Sequence, residues 1–196
     1  MKQKPVDTQD DRSLMMAVRD GEVAKLGLLF ERHHGQLFNF LLRLTGDRQL
    51  SEDLVQEVFV RLLKYRHTYR ADSQFTTWMF QIARNARIDY FRRSPRDEVS
   101  IEDEVVEHVS LMPSPGEQVE QKEEMRILLD ALSRLSEEKR AVLLLRGFQG
   151  LKFEEIAKVM KCPVNTAKGR AFKAIRELRE ALPKIRGEQT PWNATG

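Results

Sequence analysis

Residues Phe153 to Glu180 read FEEIAKVMKCPVNTAKGRAFKAIRELRE, and a Cys-Pro pair interrupts a stretch whose apolar residues otherwise keep helical spacing. Phe153, Ile156, Ala157 and Met160 stand at i, i+3, i+4 and i+7, which predicts one buried stripe on a short helix. After Lys161 and Cys162 the chain restarts at Pro163, a favourable first helical residue because its missing N–H would have been unpaired there anyway. Val164, Ala167, Ala171, Ala174 and Leu178 then make a narrow stripe of small residues that allows close packing on the preceding helix. The break predicts a helix-turn-helix corner. Its second helix turns Asn165, Thr166, Lys168, Arg170, Phe172, Lys173 and Arg176 outward, the polar and basic set that base edges and phosphates in a major groove require. A basic solvated face is the competing reading, and the short scaffold helix and tight corner before it argue against that.

Outward from this stretch, charge divides the 196 residues into three parts. Arg61 to Arg96 holds nine Lys or Arg against two Asp, Asp97 to Glu124 holds ten acids against Lys122, and Met125 to Arg186 holds fifteen Lys or Arg against seven acids. The middle part, which includes MPSPGE from Met112 to Glu117, reads as an acidic and poorly packed linker between two basic helical domains. The overall charge of +3 is a mild excess, so its distribution carries the argument. No apolar run reaches the roughly 18 residues of a membrane span, and the opening MKQKPVDTQDDR lacks the apolar segment of a signal peptide. A cytoplasmic chain with no membrane insertion is expected. Cys162 is the one cysteine, which rules out an intrachain disulfide and a Cys-rich zinc framework and suits a small buried corner residue.

In the first basic domain, Leu26, Leu29, Phe30, Leu37, Phe40, Leu41 and Leu44 form a helical stripe, and Thr45-Gly46-Asp47 supplies a stop and a turn. Ser51 is then expected to cap a helix with Leu54, Val55, Val58, Phe59, Leu62 and Leu63 on one face. The opposite face presents Asp53, Gln56, Glu57 and Arg61; it reads either as a solvated face with a Glu57–Arg61 pair or as a partner surface. Next, FTTWMFQIARNARIDYFRRSP mixes aromatics with arginines as single-stranded nucleic acid requires, rings for stacking and guanidinium groups for phosphates. Phe75, Trp78, Ile82, Ile88 and Phe91 largely share helical spacing and are expected in the core, leaving the polar face, with Asn85, for bases.

The two halves together resemble the extracytoplasmic-function group of bacterial sigma factors, the smallest promoter-recognition subunits of RNA polymerase. DLVQEVFVRLLK is similar to the core-polymerase-binding helix of sigma region 2, and FTTWMFQIARNARIDYFRR to the segment that opens and reads the minus-10 element. LSRLSEEKRAVLLLRGFQGLKFEEIAKVMKCPVNTAKGRAFKA is similar to region 4, the minus-35 reader. The resemblance spans roughly Leu26 to Leu182 and implies an all-α chain of two small domains. The expected divisions are a disordered N-terminus over 1–12, region 2 over 13–96, a flexible acidic linker over 97–124, region 4 over 125–182 and a tail over 183–196. It implies docking on the clamp of the β′ subunit and the flap of the β subunit of core polymerase, with Asp53, Gln56, Glu57 and Arg61 at the first contact. Minus-10 DNA would meet Arg70, Arg84, Asn85, Tyr90, Arg92 and Arg93, with an extruded base held near Arg70 to Thr76. Minus-35 DNA would meet the outward set of the second helix. An anti-sigma protein is a further implied partner. The acidic linker reads either as a flexible spacer kept soluble by its charge or as a segment that threads the polymerase interior, as the resemblance implies, where its negative charge would mimic RNA.

Two positions depart from the family pattern. Lys152 stands where Ser or Thr is common ahead of EEIA, and Gly169 stands where Ser is common in the recognition helix, at a propensity cost of about 0.8 to 1 kcal/mol relative to Ala. No enzyme, cofactor or metal is expected: GxxxxGK[ST] and HExxH motifs are missing, and His33 and His34 adjoin on a helix and so point apart, as surface or core-edge residues. A helix-turn-helix regulator without core-polymerase function is the rival reading, one that leaves the clamp-like helix and the aromatic-basic segment unused.

Overall fold

Asp10 sets the first boundary: its Oδ1 accepts the Ser13 N–H at 2.7 Å, so α1, Asp11–Arg19, begins with a capped turn. That hydrogen bond holds the Asp10 carboxyl below the usual carboxylate range. The computed structural model describes residues 9–93 and 127–181, so the linker expected over 97–124 and the tail over 183–196 lie outside the described residues. The boundary expected after residue 12 falls inside α1. Asp11 ties this helix to the next, with Oδ1 accepting from Arg32 Nη1 at 2.8 Å and Oδ2 lying 2.6 Å from His33 Nε2. His33 is thereby buried at the core edge, while His34 points out and stacks on Phe30.

A 3-10 turn at Val23–Lys25 leads into α2, Leu26–Thr45, which buries Leu29, Leu37, Phe40, Leu41 and Leu44. Phe30 leaves the expected stripe: it is exposed, its ring edge-on to Phe59 at 4.9 Å. Gly46, at φ 75, ends α2 by donating its N–H to the Leu42 carbonyl at 2.8 Å, a left-handed cap that favours glycine. The third helix, α3, is Arg48–Lys64 and starts before the expected cap at Ser51. Asp47 caps instead, its Oδ1 accepting the Leu50 N–H at 2.9 Å, worth about 1 kcal/mol. Both are capping residue types, and Asp47 directly follows the glycine turn, so the helix starts there. Ser51 is buried and donates its hydroxyl to the Asp47 carbonyl at 2.6 Å.

After a second 3-10 turn, Arg66–Thr68, the fourth helix, α4, runs Phe75–Arg93. It buries Phe75, Met79, Phe80, Ile82, Ala83 and Ala86, with Trp78 packed half-buried against the same core. Ile88 and Phe91 do not join them; both are exposed, because α4 buries nothing beyond Ala86. Arg87 lies over the Phe91 ring at 4.6 Å.

The second half has a helical segment α5 over 127–133, then α6 (Glu137–Gly147), α7 (Phe153–Met160) and α8 (Val164–Ala181). The cap missing at Lys152 is offset in part, since the Glu155 carboxylate reaches back to accept the Lys152 N–H at 2.7 Å. Ile156, Ala157, Val159 and Met160 bury the inner side of α7. At the corner, Lys161 adopts φ 51, the Cys162 N–H bonds the Ala157 carbonyl at 3.0 Å and the Lys161 N–H bonds the Lys158 carbonyl at 3.3 Å. This is a Schellman cap with a lysine where glycine is usual. Cys162 is half-buried against the core, and the Pro163 carbonyl accepts the Thr166 N–H at 3.0 Å to open α8. Ala167, Ala171 and Ala174 are buried, as their stripe predicts.

The halves pack together, α6 against the end of α2 and α7 against α4, and their buried apolar residues form one continuous cluster. Arg140 sits in the seam. It is buried, with Nη1 donating to the Leu44 carbonyl at 3.0 Å and Nη2 donating to the carbonyls of Ser133 and, at 3.1 Å, Leu135. Burial pushes its guanidinium below the ordinary arginine range. Arg87 pairs with Glu137, Thr77 Oγ1 donates to Glu155 Oε1 at 3.4 Å, and Arg43 lies over the Phe148 ring at 4.5 Å.

Candidate nucleic-acid interface

With Ala167, Ala171 and Ala174 facing inward, the outer side of α8 carries Asn165, Lys168, Gly169, Phe172, Lys173 and Arg176 in one exposed stripe. Thr166 is exposed in the first turn, and the Phe172 ring is 70% exposed. Arg170 departs from the expected set. Its Nη2 lies 2.6 Å from Glu138 Oε2 and its side chain is only 24% exposed, so it faces α6. One residue on, Lys139 Nζ donates to both oxygens of Glu177 at 2.7 and 2.8 Å. Adjacent residues at the start of α6 thus hold α8 at two points, two turns apart. No periodicity argument marks Glu138 and Lys139, because their partners are distant in sequence.

On α3, Asp53 and Gln56 are exposed and Glu57 half-exposed, opposite the buried stripe. Arg61 does pair with Glu57, at 2.6 Å, but its Nη1 also reaches Asp89 Oδ2 at 2.7 Å and its side chain is 14% exposed. It ties α3 to α4, and the hydrogen bond from Arg61 holds the Asp89 carboxyl below its usual range. On α4, Arg84, Asn85 and Tyr90 are half-buried, whereas Arg92 and Arg93 stand exposed at the end, Arg92 within 3.1 Å of Asp89. Arg70 is exposed in the loop before α4 and lies 3.1 Å from Asp72, whose carboxyl the Arg70 hydrogen bond lowers. Beside that loop a shallow cleft of about 330 Å³ opens between Asp10, Asp11 and Arg12 at the start of α1 and Gln74, Phe75 and Thr76 at the start of α4. The stripe on α8 and the basic end of α4 are therefore separate surfaces. Among the described residues no cluster of His, Cys, Asp or Glu has the arrangement of a metal site, and no helix is long and apolar enough to cross a membrane.

The Sigma-70 region 2 family matches residues 29–96, and the Sigma-70 region 4 family matches residues 125–178. The ECF RNA polymerase sigma-E factor of Haemophilus influenzae is 31% identical over 87% of this chain and 93% of its own length. The protein of the same name from Escherichia coli K12 is 33% identical over 88% of this chain and 92% of its own length. The chain belongs to the extracytoplasmic-function family of RNA polymerase sigma factors. The sigma factor RpoE of Bartonella quintana, solved in complex with the anti-sigma factor NepR, shares the fold with a TM-score of 0.66 at 26% identity, covering 82% of this chain and 98% of that one.

This sigma factor is thus a non-enzymatic transcription initiation factor that works with core RNA polymerase at promoter DNA. The region 2 match over 29–96 removes the reading as a helix-turn-helix regulator without core-polymerase function. In its structure, the region 2 match covers most of α2 and all of α3 and α4, and the region 4 match, 125–178, contains the helix-turn-helix of α7 and α8. Sequence reasoning missed the seam between them. In sequence Arg87 is one of the arginines of the aromatic-basic segment and Arg140 one charge of the second basic domain, and nothing in a one-dimensional pattern points Arg140 at the Leu44 carbonyl.

Proposed function

We propose that this sigma factor reads the minus-35 element through the exposed stripe of α8, with Asn165, Thr166, Phe172 and Lys168 at base edges and Lys173 and Arg176 on phosphates. The observation that carries this is the stripe itself, continuous, basic and open to solvent, while the inner side of the same helix is seated by three alanines. Arg170 contributes by holding the helix to α6. Arg70, Arg92 and Arg93 supply phosphate contacts at the minus-10 element, and the cleft beside Gln74 to Thr76 receives an unpaired base. Arg84, Asn85 and Tyr90, half-buried on α4, contribute to the same minus-10 surface. No ATP is needed: stacking at about 1 to 3 kcal/mol per base offsets unpairing.

Core polymerase docks on Asp53, Gln56 and Glu57 through its clamp, and region 4 takes the flap. Replacing Asp53 and Glu57 together by Ala is expected to weaken competition for core polymerase at least ten-fold, about 1.4 kcal/mol or more, while helicity by circular dichroism stays near wild type. Unchanged competition by the folded double variant sinks the docking assignment. The factor acts in the cytoplasm, and an anti-sigma partner holds it, at the membrane where that partner is anchored there; the complexed state of the Bartonella relative supports such a partner.

The closed packing is the free state. Elements named minus-10 and minus-35 lie about 25 base pairs apart, roughly 85 Å along B-form DNA. Between α4 and α8 stands one helix, α7, so the two readers are separated by about two helix spacings, roughly 20 Å. Region 4 must leave α4 for both elements to be held at once.

A further inference from the structure

Ala167, Ala171 and Ala174 are small where α8 is seated on its neighbours, yet the smallest residue of this helix lies on the opposite side. Gly169 is exposed, and a Cβ built there meets nothing within 4 Å. Its backbone is ordinary right-handed helix, outside the positive-φ glycines of the chain. Neither packing nor backbone geometry asks for glycine, and in mid-helix glycine is disfavoured relative to alanine by the chain entropy it loses on folding. The fold would be better served by alanine. What remains is the side from which DNA approaches.

Gly169 sits one turn after Asn165 and one turn before Phe172 and Lys173. Side chains one turn away on either side therefore leave a gap in which only backbone is presented, and Phe172, one turn on and 70% exposed, is the apolar residue of the same stripe. Of the base-pair edges in a major groove, the one that projects an apolar group is thymine, through its C5-methyl. We infer that Gly169 is a specificity-determining position, whose notch receives the C5-methyl of one minus-35 thymine against the Phe172 ring. The inference rests on the reading of α8 as the groove-entering helix.

The test uses holoenzyme assembled from the full chain and core RNA polymerase, selected on duplexes randomised across the minus-35 region. The selected sequence is then resynthesised with deoxyuridine replacing each thymine in turn. Wild type loses about four-fold in affinity at one position, the worth of one buried methyl group. Gly169→Ala, although more thermostable, binds the all-thymine sequence about ten-fold more weakly through overpacking, and deoxyuridine at that same position restores part of the loss. Wild-type affinity and an unchanged selected sequence for Gly169→Ala overturn the proposal, and so does a wild type indifferent to deoxyuridine at every position. A wild-type holoenzyme that selects no minus-35 sequence at all defeats the reading of α8 itself, and the proposal with it.

Discussion

Tyr69 is buried in the loop before α4, and its O–H donates to the Ser73 carbonyl at 2.9 Å. Burial pushes its phenol up to about 12 from an ordinary value of 10.0, so the fold favours the neutral form. That contribution is complete below pH 10 and is lost as pH rises toward about 12. In a phenolate absorbance titration one of the three tyrosines should ionise late, and Tyr69→Phe should remove that late step. Arg170 and Lys173 separate two roles that residue type alone had merged. Arg170→Ala breaks a part-exposed ion pair, so it should lower stability by under about 1 kcal/mol and leave minus-35 discrimination intact. Lys173→Ala should weaken binding to all sequences alike and reduce the salt slope by about 1, as loss of one phosphate contact does. Binding across a minus-35 library at several salt concentrations distinguishes them. The sequence shows both as outward cations; Glu138, which takes Arg170 out of the stripe, is thirty-two positions away and invisible to helical spacing.

At the scale of elements, the α7–α8 corner was readable because its signals agree: an apolar stripe that stops at Met160, a proline, then a second stripe of small residues. Lys161 is the local misfit, a non-glycine at φ 51. Lys161→Gly should stabilise the chain by about 1 kcal/mol, measured by urea unfolding, since the left-handed cap then carries no Cβ strain. The start of α3 was less readable, because Asp47 and Ser51 both suit a cap and only the Gly46 turn decides between them. Ile88 and Phe91 continue the spacing of α4 past Ala86, the last buried residue of that helix. Periodicity reports which side of a helix is apolar, whereas the length of the neighbouring helices decides how far that side is buried.

For the whole molecule, two domains and their order were legible from charge blocks and helical stripes, but their packing was not, since it depends on buried polar contacts such as Arg140 with the Leu44 carbonyl. Arg140→Leu leaves three carbonyls without their donor and should cost about 3 kcal/mol. Glu137→Gln weakens only the rim of the seam, by removing the charge opposite Arg87. With fluorophores on α3 and α8, the Glu137→Gln chain should show a lower transfer efficiency than wild type when free, and the two should converge once core polymerase is bound. Equal efficiencies throughout would mean that the pair does not hold the halves together. The central claim, that this one chain directs core polymerase through separate docking and reading surfaces, is tested most directly by transcription in vitro. Purified core polymerase, the full chain and a pool of genomic fragments from its own host are combined, and transcript 5′ ends are mapped. Discrete new start sites should share minus-10 and minus-35 sequences, and should disappear with either Asp53→Ala/Glu57→Ala or Lys168→Ala/Lys173→Ala. Start sites identical to those of core polymerase alone would contradict the account.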